Sequence, residues 1–224
     1  MTLSLLARCP ETRQFGMVIA SSSPAVAARC SHAKAGVGVA ASQNITDPAL
    51  GPALLDHLTR GQTAGQAMQA VVAASPHISH RQLLLVDATG DTAFHCGAGM
   101  LGIFAVAKAQ NVIAGGNLLA SDRVPGAMLA AFAAATGPFG DRLIAALRAG
   151  RDAGGEAGDL HSAGLLIVDK LSWPAADLRC DWTDACPIEM LAAAWSVYQP
   201  QMAAYVQRAQ CPGLAPSYGV PGDP

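Results

Sequence analysis

The chain is poor in charge. Asp, Glu, Lys and Arg make up 13% of its 224 residues, about half of the roughly 25% usual for soluble domains. That scarcity argues against a disordered tail, an acidic solvating protein or a coiled coil. Neither sign dominates: 14 Lys and Arg face 16 Asp and Glu. With no concentrated basic face, a nucleic-acid partner is not expected. No apolar run reaches the roughly 18 residues that would span a bilayer, so no membrane partner is expected either. The start, Met1-Thr2-Leu3-Ser4-Leu5-Leu6-Ala7-Arg8, lacks a basic leader segment, and Arg8 cuts the apolar stretch short. A cytoplasmic protein is the expectation. The six cysteines (Cys9, Cys30, Cys96, Cys180, Cys186, Cys211) form no C-x-x-C and read as buried thiols.

What the chain has instead is apolar residues, 51% of the total, and frequent turns, with 23 Gly and 14 Pro. Three strands are predicted first, at Thr2 to Arg8, Phe15 to Ser22 and Ala35 to Gln43. Their apolar runs are continuous rather than alternating, as in strands covered on both faces. Two helices follow, one opened by Asp47-Pro48 with Leu50, Leu54 and Leu58 in register, one capped by Thr63 and ending before Pro76. Strands return at Arg81 to Ala88, Asp91 to Cys96, Ile103 to Ala107 and Asn111 to Ala114. A second helix pair opens at Asp122 and at Arg142. Strands at Ala163 to Asp169 and Asp177 to Cys180 precede a helix from Pro187. Residues 1–210 read as one domain, and residues 211–224 as an extended Pro- and Gly-rich tail. Short links favour antiparallel hairpins over a doubly wound parallel sheet. The expected class is α+β, a four-layer α/β/β/α sandwich.

Most motif candidates dissolve on inspection. Gly97-Ala98-Gly99-Met100-Leu101-Gly102 matches G-x-G-x-x-G, but Ile103 to Ala107 reads as strand where a dinucleotide site needs a helix. No cofactor is expected. His77-Ile78-Ser79-His80 and Cys30-Ser31-His32 have no second cluster at metal-site spacing, so no metal is expected. No G-x-S-x-G elbow exists.

Polar residues gather instead at strand ends: Ser21-Ser22-Ser23, Ser42-Gln43-Asn44 and Gly115-Gly116-Asn117. Asn117 and Gln43 offer amides, and the paired glycines admit a close ligand. Thr2 is the most informative residue. Threonine is small enough for aminopeptidase to remove Met1. The exposed Thr2 would carry a hydroxyl nucleophile beside an α-amine whose reference pKa is about 7.7–8.0, fit to act as its base. Thr2 also opens a buried strand, whereas most chain starts fray.

The order of these strings resembles a bacterial family of unknown function, domain-of-unknown-function family 1028, with an N-terminal-nucleophile (Ntn) hydrolase-like fold. The matching residues include Thr2 to Arg8 with Pro10-Glu11-Thr12, Val18-Ile19-Ala20-Ser21, Ala33 to Gly38, and Ser42-Gln43. They continue with Asp47-Pro48, Gly51-Pro52, Arg81-Gln82, Val86-Asp87, Gly116-Asn117-Leu118-Leu119, Ala153-Gly154-Gly155, Ser162-Ala163, Asp177-Leu178-Arg179 and the tail Ala215 to Asp223. The resemblance implies hydrolysis of an amide- or ureide-type C–N bond in a small molecule. It implies Thr2, Ser21, Gln43 and Asn117 as catalytic residues, with Gly116, His32 and His161 near substrate. His32 stands where an aromatic is common, and Gly158-Asp159-Leu160-His161 replaces a basic segment, which argues against a carboxylate-bearing substrate.

The reading is an Ntn-type amidohydrolase. Its rivals are a non-catalytic ligand-binding or scaffold protein on the same fold, and an enzyme using Ser21 or Cys30 as nucleophile. Low charge and abundant apolar residues point to a homo-oligomer.

Overall fold

The computed structural model describes residues 2–222. Met1, whose removal the sequence predicts, lies outside the described residues, as do Asp223 and Pro224 of the predicted tail.

The chain forms two antiparallel sheets with helices, a mixed α+β fold. The first sheet has six strands in the order β10-β9-β2-β1-β8-β7 and the second has four in the order β3-β4-β5-β6. The strands are β1 Thr2–Arg8, β2 Phe15–Ser21, β3 Ser31–Lys34, β4 Gly38–Asn44, β5 Arg81–Asp87, β6 Thr92–Cys96, β7 Ile103–Ala109, β8 Val112–Leu119, β9 Ser162–Val168 and β10 Ala176–Cys180. The helices are α1 Val26–Cys30, α2 Leu50–Thr59, α3 Ala64–Ala74, α4 Val124–Ala134, α5 Phe139–Asp152, α6 Pro187–Tyr198 and α7 Met202–Gln210. Among the described residues no helix is long and apolar enough to cross a membrane.

Side chains alternate across a strand, and β1 divides its residues accordingly. Leu3 and Leu5 pack with α4, α5 and α6 through Met128, Leu143, Leu147, Ile188 and Trp195. Leu6 packs between the sheets with Met17, Ile19, Val39, Ala41, Leu84, Val86 and Ile113. A third cluster joins Ala40, Leu83 and Leu85 of the second sheet to Leu54, Leu58, Ala67 and Met68 of α2 and α3. Coverage of both faces explains why apolar residues run through β1 and β2 without a regular polar alternation.

Local chemistry sets several boundaries. Thr63 Oγ1 accepts the Gln66 N–H at 3.3 Å while Gln66 Oε1 accepts the Thr63 N–H at 3.0 Å, a reciprocal cap that starts α3. Asp47 accepts the Ala49 N–H at 3.0 Å ahead of α2. The Gly97–Gly102 string forms the turn between β6 and β7. A Cβ at Gly97 would fall 2.1 Å from the Ser79 carbonyl oxygen, so its glycine serves backbone packing.

Three expectations need revising. The strand predicted from Ala35 to Gln43 begins instead with a turn, where Gly36 takes φ +71°, and continues as β4 from Gly38, which pairs with an unpredicted strand β3 at Ser31–Lys34. The strand predicted to stop at Ala114 runs on through Gly115 and Gly116 to Leu119. The start of the tail is not simply extended: it folds back on α7, where the Arg208 guanidinium sits 3.8 Å from the centre of the Tyr218 ring.

Candidate active site

Thr2 lies 4% exposed at the first position of β1, flanked by β2 and β8. On the β8 side it stands opposite Asn117. On the β2 side Leu3 pairs with Ala20, so the next step of the ladder sets Thr2 against Ser21. Directly opposed residues point to the same face. Thr2, Ser21 and Asn117 therefore form a row on the inter-sheet face, with neighbouring Cβ atoms about 4.5–5.5 Å apart.

The second sheet supplies the opposing wall. Ser4, two residues after Thr2 and on the same face, donates to Gln43 Oε1 at 2.9 Å. Gln43 Nε2 donates to Gln82 Oε1 at 2.8 Å, and Asn117 Nδ2 donates to the same oxygen at 3.2 Å. Gln82 Nε2 closes the chain on the Gly116 carbonyl at 3.1 Å. Ser4, Gln43, Gln82 and Asn117 are all fully buried. A buried amide left unpaired costs about 1–3 kcal/mol, so a mostly satisfied network of this size locks its members in place. One acceptor stays open: Asn117 Oδ1 is buried without a hydrogen-bond partner.

Gly116 makes the close approach feasible. A Cβ there would meet Leu119 Cδ2 at 2.6 Å and the Thr2 carbonyl oxygen at 2.7 Å. Ser21 Oγ accepts the Ser23 N–H at 3.0 Å. Its cross-strand partner Ser162 donates to the Ser23 carbonyl at 2.6 Å and accepts the Val26 N–H at 3.3 Å, fixing the bend after β2.

Glu156 places a buried carboxyl at this end of the sheet. It is 4% exposed, and its Oε2 accepts the Ser22 N–H at 3.1 Å while Oε1 has no hydrogen-bond partner. Burial raises its pKa to about 7, against smaller downward pulls, first from the positive charge of the chain's α-amine and then from the Ser22 N–H.

The sequence-predicted residues divide between two places. Thr2, Ser21, Gln43, Gly116 and Asn117 come together as described. His161 is a near neighbour: its N–H donates to the Ser21 carbonyl at 2.9 Å, and its ring stacks on Trp182 with centroids 4.3 Å apart. It lines, with Glu156, Asp159 and Asp184, a cleft of about 440 Å³. His32 stands apart. It faces Ala40, a member of the cluster under α2 and α3, and its ring fills the space above Gly51. Burial lowers its pKa, and Nε2 has no hydrogen-bond partner. Among the described residues no group of three or more His, Cys, Asp or Glu side chains is arranged to hold a metal ion.

Three members of the site were not singled out by sequence reasoning: Ser4, Gln82 and Glu156. Ser4 and Gln82 carried a usable signal, a polar residue on the inward face of an otherwise apolar strand. Glu156 sits in a glycine-rich loop and carried none.

The chain is 31% identical to a Silicibacter pomeroyi protein, SPO2555, a member of family model DUF1028. The alignment covers 88% of this chain and 89% of that one, with a TM-score of 0.83. It is also similar to Anbu (ancestral beta-subunit) from Yersinia bercovieri, at 13% identity over 91% of this chain and 97% of that one, TM-score 0.41. The Gly-1 mutant of Anbu from Hyphomicrobium sp. strain MC1 gives 12% identity over 91% and 97%, TM-score 0.42. No curated protein matches the sequence. The model of the family of unknown function DUF1028 matches residues 2–191, and the chain belongs to that family.

Proposed function

We propose that this protein is an N-terminal-nucleophile hydrolase that cleaves an amide- or ureide-type C–N bond of a small molecule. The observation that carries the reading is the position of Thr2: first in a buried central strand, in one row with Ser21 and Asn117. That place sets the Thr2 hydroxyl beside a locked amide network.

In this mechanism Met1 is removed and Thr2 gains a free α-amine. Thr2 Oγ attacks the substrate carbonyl as its proton passes to the amine, directly or through one water. Asn117 Nδ2 spends one N–H on Gln82 and keeps the other for the oxyanion. The protonated amine gives its proton to the leaving nitrogen as the C–N bond breaks. Water then hydrolyses the threonyl ester and restores the hydroxyl. Gln43 and Gln82 hold Asn117 in place, and Ser21 borders the nucleophile.

The same reading takes the chain up to residue 210 as one domain, stacked as an α/β/β/α sandwich of Ntn type. The three hydrophobic clusters, one between the sheets and one on each outer face, support that stacking. Homo-oligomerisation is supported by Phe94, Leu101, Ile103 and Phe104, which are exposed on or beside the edge strands β6 and β7.

The test is hydrolysis of a panel of small amides and ureides by chains that begin at residue 2. Thr2→Ser should retain turnover and Thr2→Ala should lose it while unfolding at the same denaturant concentration. Turnover surviving Thr2→Ala would overturn the mechanism.

A further inference from the structure

Beyond Thr2, the line of β1 meets a ladder place that another residue already holds. Thr2 faces Asn117, so the place opposite Leu119 belongs to a residue two positions before Thr2. Glu156 occupies it. Leu119 pairs with Ile103 of β7 on one side and with Glu156 on the other, the side on which β1 lies. The Ala157 N–H to the Leu118 carbonyl at 2.9 Å and the Ala120 N–H to the Gly155 carbonyl at 3.1 Å pin this short pairing from both ends.

The carboxylate is fixed from the β2 side as well. Successive residues of an antiparallel strand turn their peptide groups to opposite neighbours. The Ser21 carbonyl is taken by His161, on the β9 side, so the Ser22 N–H turns toward the line of β1. That N–H donates to Glu156 Oε2. Glu156 thus joins β8 at its backbone and β2 at its carboxylate, strands that flank β1, and the carboxylate lies across the open end of β1. Its Oε1 is buried and unpartnered there, and Asn117 Oδ1 is a second unpartnered acceptor beside Thr2.

We propose that Glu156 is the positioning carboxylate of this site, holding the freed α-ammonium of Thr2 through its second oxygen, with Asn117 Oδ1 as the other acceptor. A peptide N–H at Thr2 offers one donor; an ammonium offers three, enough to meet both acceptors. The proposal rests on the N-terminal-threonine reading. Within it, Glu156 stabilises the ammonium formed when Thr2 Oγ gives up its proton, and it fixes the rotation of the amine toward that hydroxyl. No bond to Glu156 forms or breaks. The other titratable groups around Glu156 line the same cleft: Arg151, Asp159, His161, Asp184 and Cys186. Arg151 is engaged by Asp152 and Glu189, and His161 Nδ1 lies 2.8 Å from the Thr183 carbonyl.

The test measures the α-amine itself. In chains beginning at residue 2, competitive acylation with acetic anhydride across pH gives the amine's apparent pKa without any turnover. Glu156→Gln should lower it by one unit or more, and Glu156→Asp should recover part of the shift. The same shift should appear in a Thr2→Ala background, since the amine and not the hydroxyl is the partner. An unchanged amine pKa in Glu156→Gln overturns the proposal, whatever the turnover. A lowered amine pKa without any hydrolysis supports the placement of Glu156 and counts against the hydrolase reading alone.

Discussion

Glu156, buried with one carboxylate oxygen unpartnered, makes stability depend on pH in a way that reverses when residue 1 is lost. In the chain that keeps residue 1, burial lifts the Glu156 pKa from 4.5 to about 7. A carboxyl whose folded pKa is raised contributes stability that is fully present below its unfolded value and is lost as pH rises through the folded value. The window is therefore pH 4.5 to about 7. At about 1.4 kcal/mol per unit, the loss amounts to about 3 kcal/mol. Glu156→Gln is neutral at every pH and keeps an oxygen for the Ser22 N–H. It should match the parent chain near pH 4 and exceed its stability by about 3 kcal/mol at pH 8, a rise in Tm of roughly 6–12 °C for a domain of this size. In the chain beginning at Thr2 the carboxylate gains a directly bonded ammonium in place of the weaker charge effect of the residue-1 amine, and the same substitution should destabilise at pH 8. Urea denaturation of both chain forms at the two pH values reads all four differences. Identical pH dependence in parent and variant, or the same sign in both chain forms, would refute the reasoning.

Three further outcomes follow from the packing. Gly116→Ala drives a Cβ to within 2.7 Å of the Thr2 carbonyl and 2.6 Å of Leu119, so urea denaturation should report a loss of about 1–3 kcal/mol. Gln82→Leu strands the Gln43 and Asn117 amides and should cost about 2–4 kcal/mol; combining it with Gln43→Leu should cost clearly less than the sum of the two single changes in a double-mutant cycle. Thr63→Ala removes the reciprocal cap of α3 and should cost about 1 kcal/mol in thermal denaturation, with no effect on reactivity at Thr2.

The parts of the fold legible in the sequence are those where hydropathy has contrast. β1, β2, β5 and β9 stand out because polar turns bound continuous apolar runs. The β3–β4 hairpin was hidden because Ala35 to Val39 is apolar or small through the turn, and only the positive φ of Gly36 marks the reversal. The five-residue α1 was hidden for a different reason: it starts after Ala25 in a left-handed conformation, with no side-chain cap to announce it. In the site, Thr2, Ser21, Gln43 and Asn117 were readable as polar residues at the ends of apolar strands. His32 came only from the family resemblance, and strand parity sends it to the opposite face of the second sheet. Glu156 was beyond reach of local reasoning, since its place depends on the long-range pairing of a loop with the end of β8.

The most direct measurement of the central claim is the site of covalent capture. Protein made in its own cell is incubated with a β-lactone, which an activated hydroxyl opens to an ester, and is then mapped by peptide mass spectrometry. The account predicts one adduct per chain, on the hydroxyl of a peptide that begins at Thr2, and none on chains retaining Met1. An adduct on Ser21 or Cys30, or on Thr2 with Met1 still attached, would contradict it.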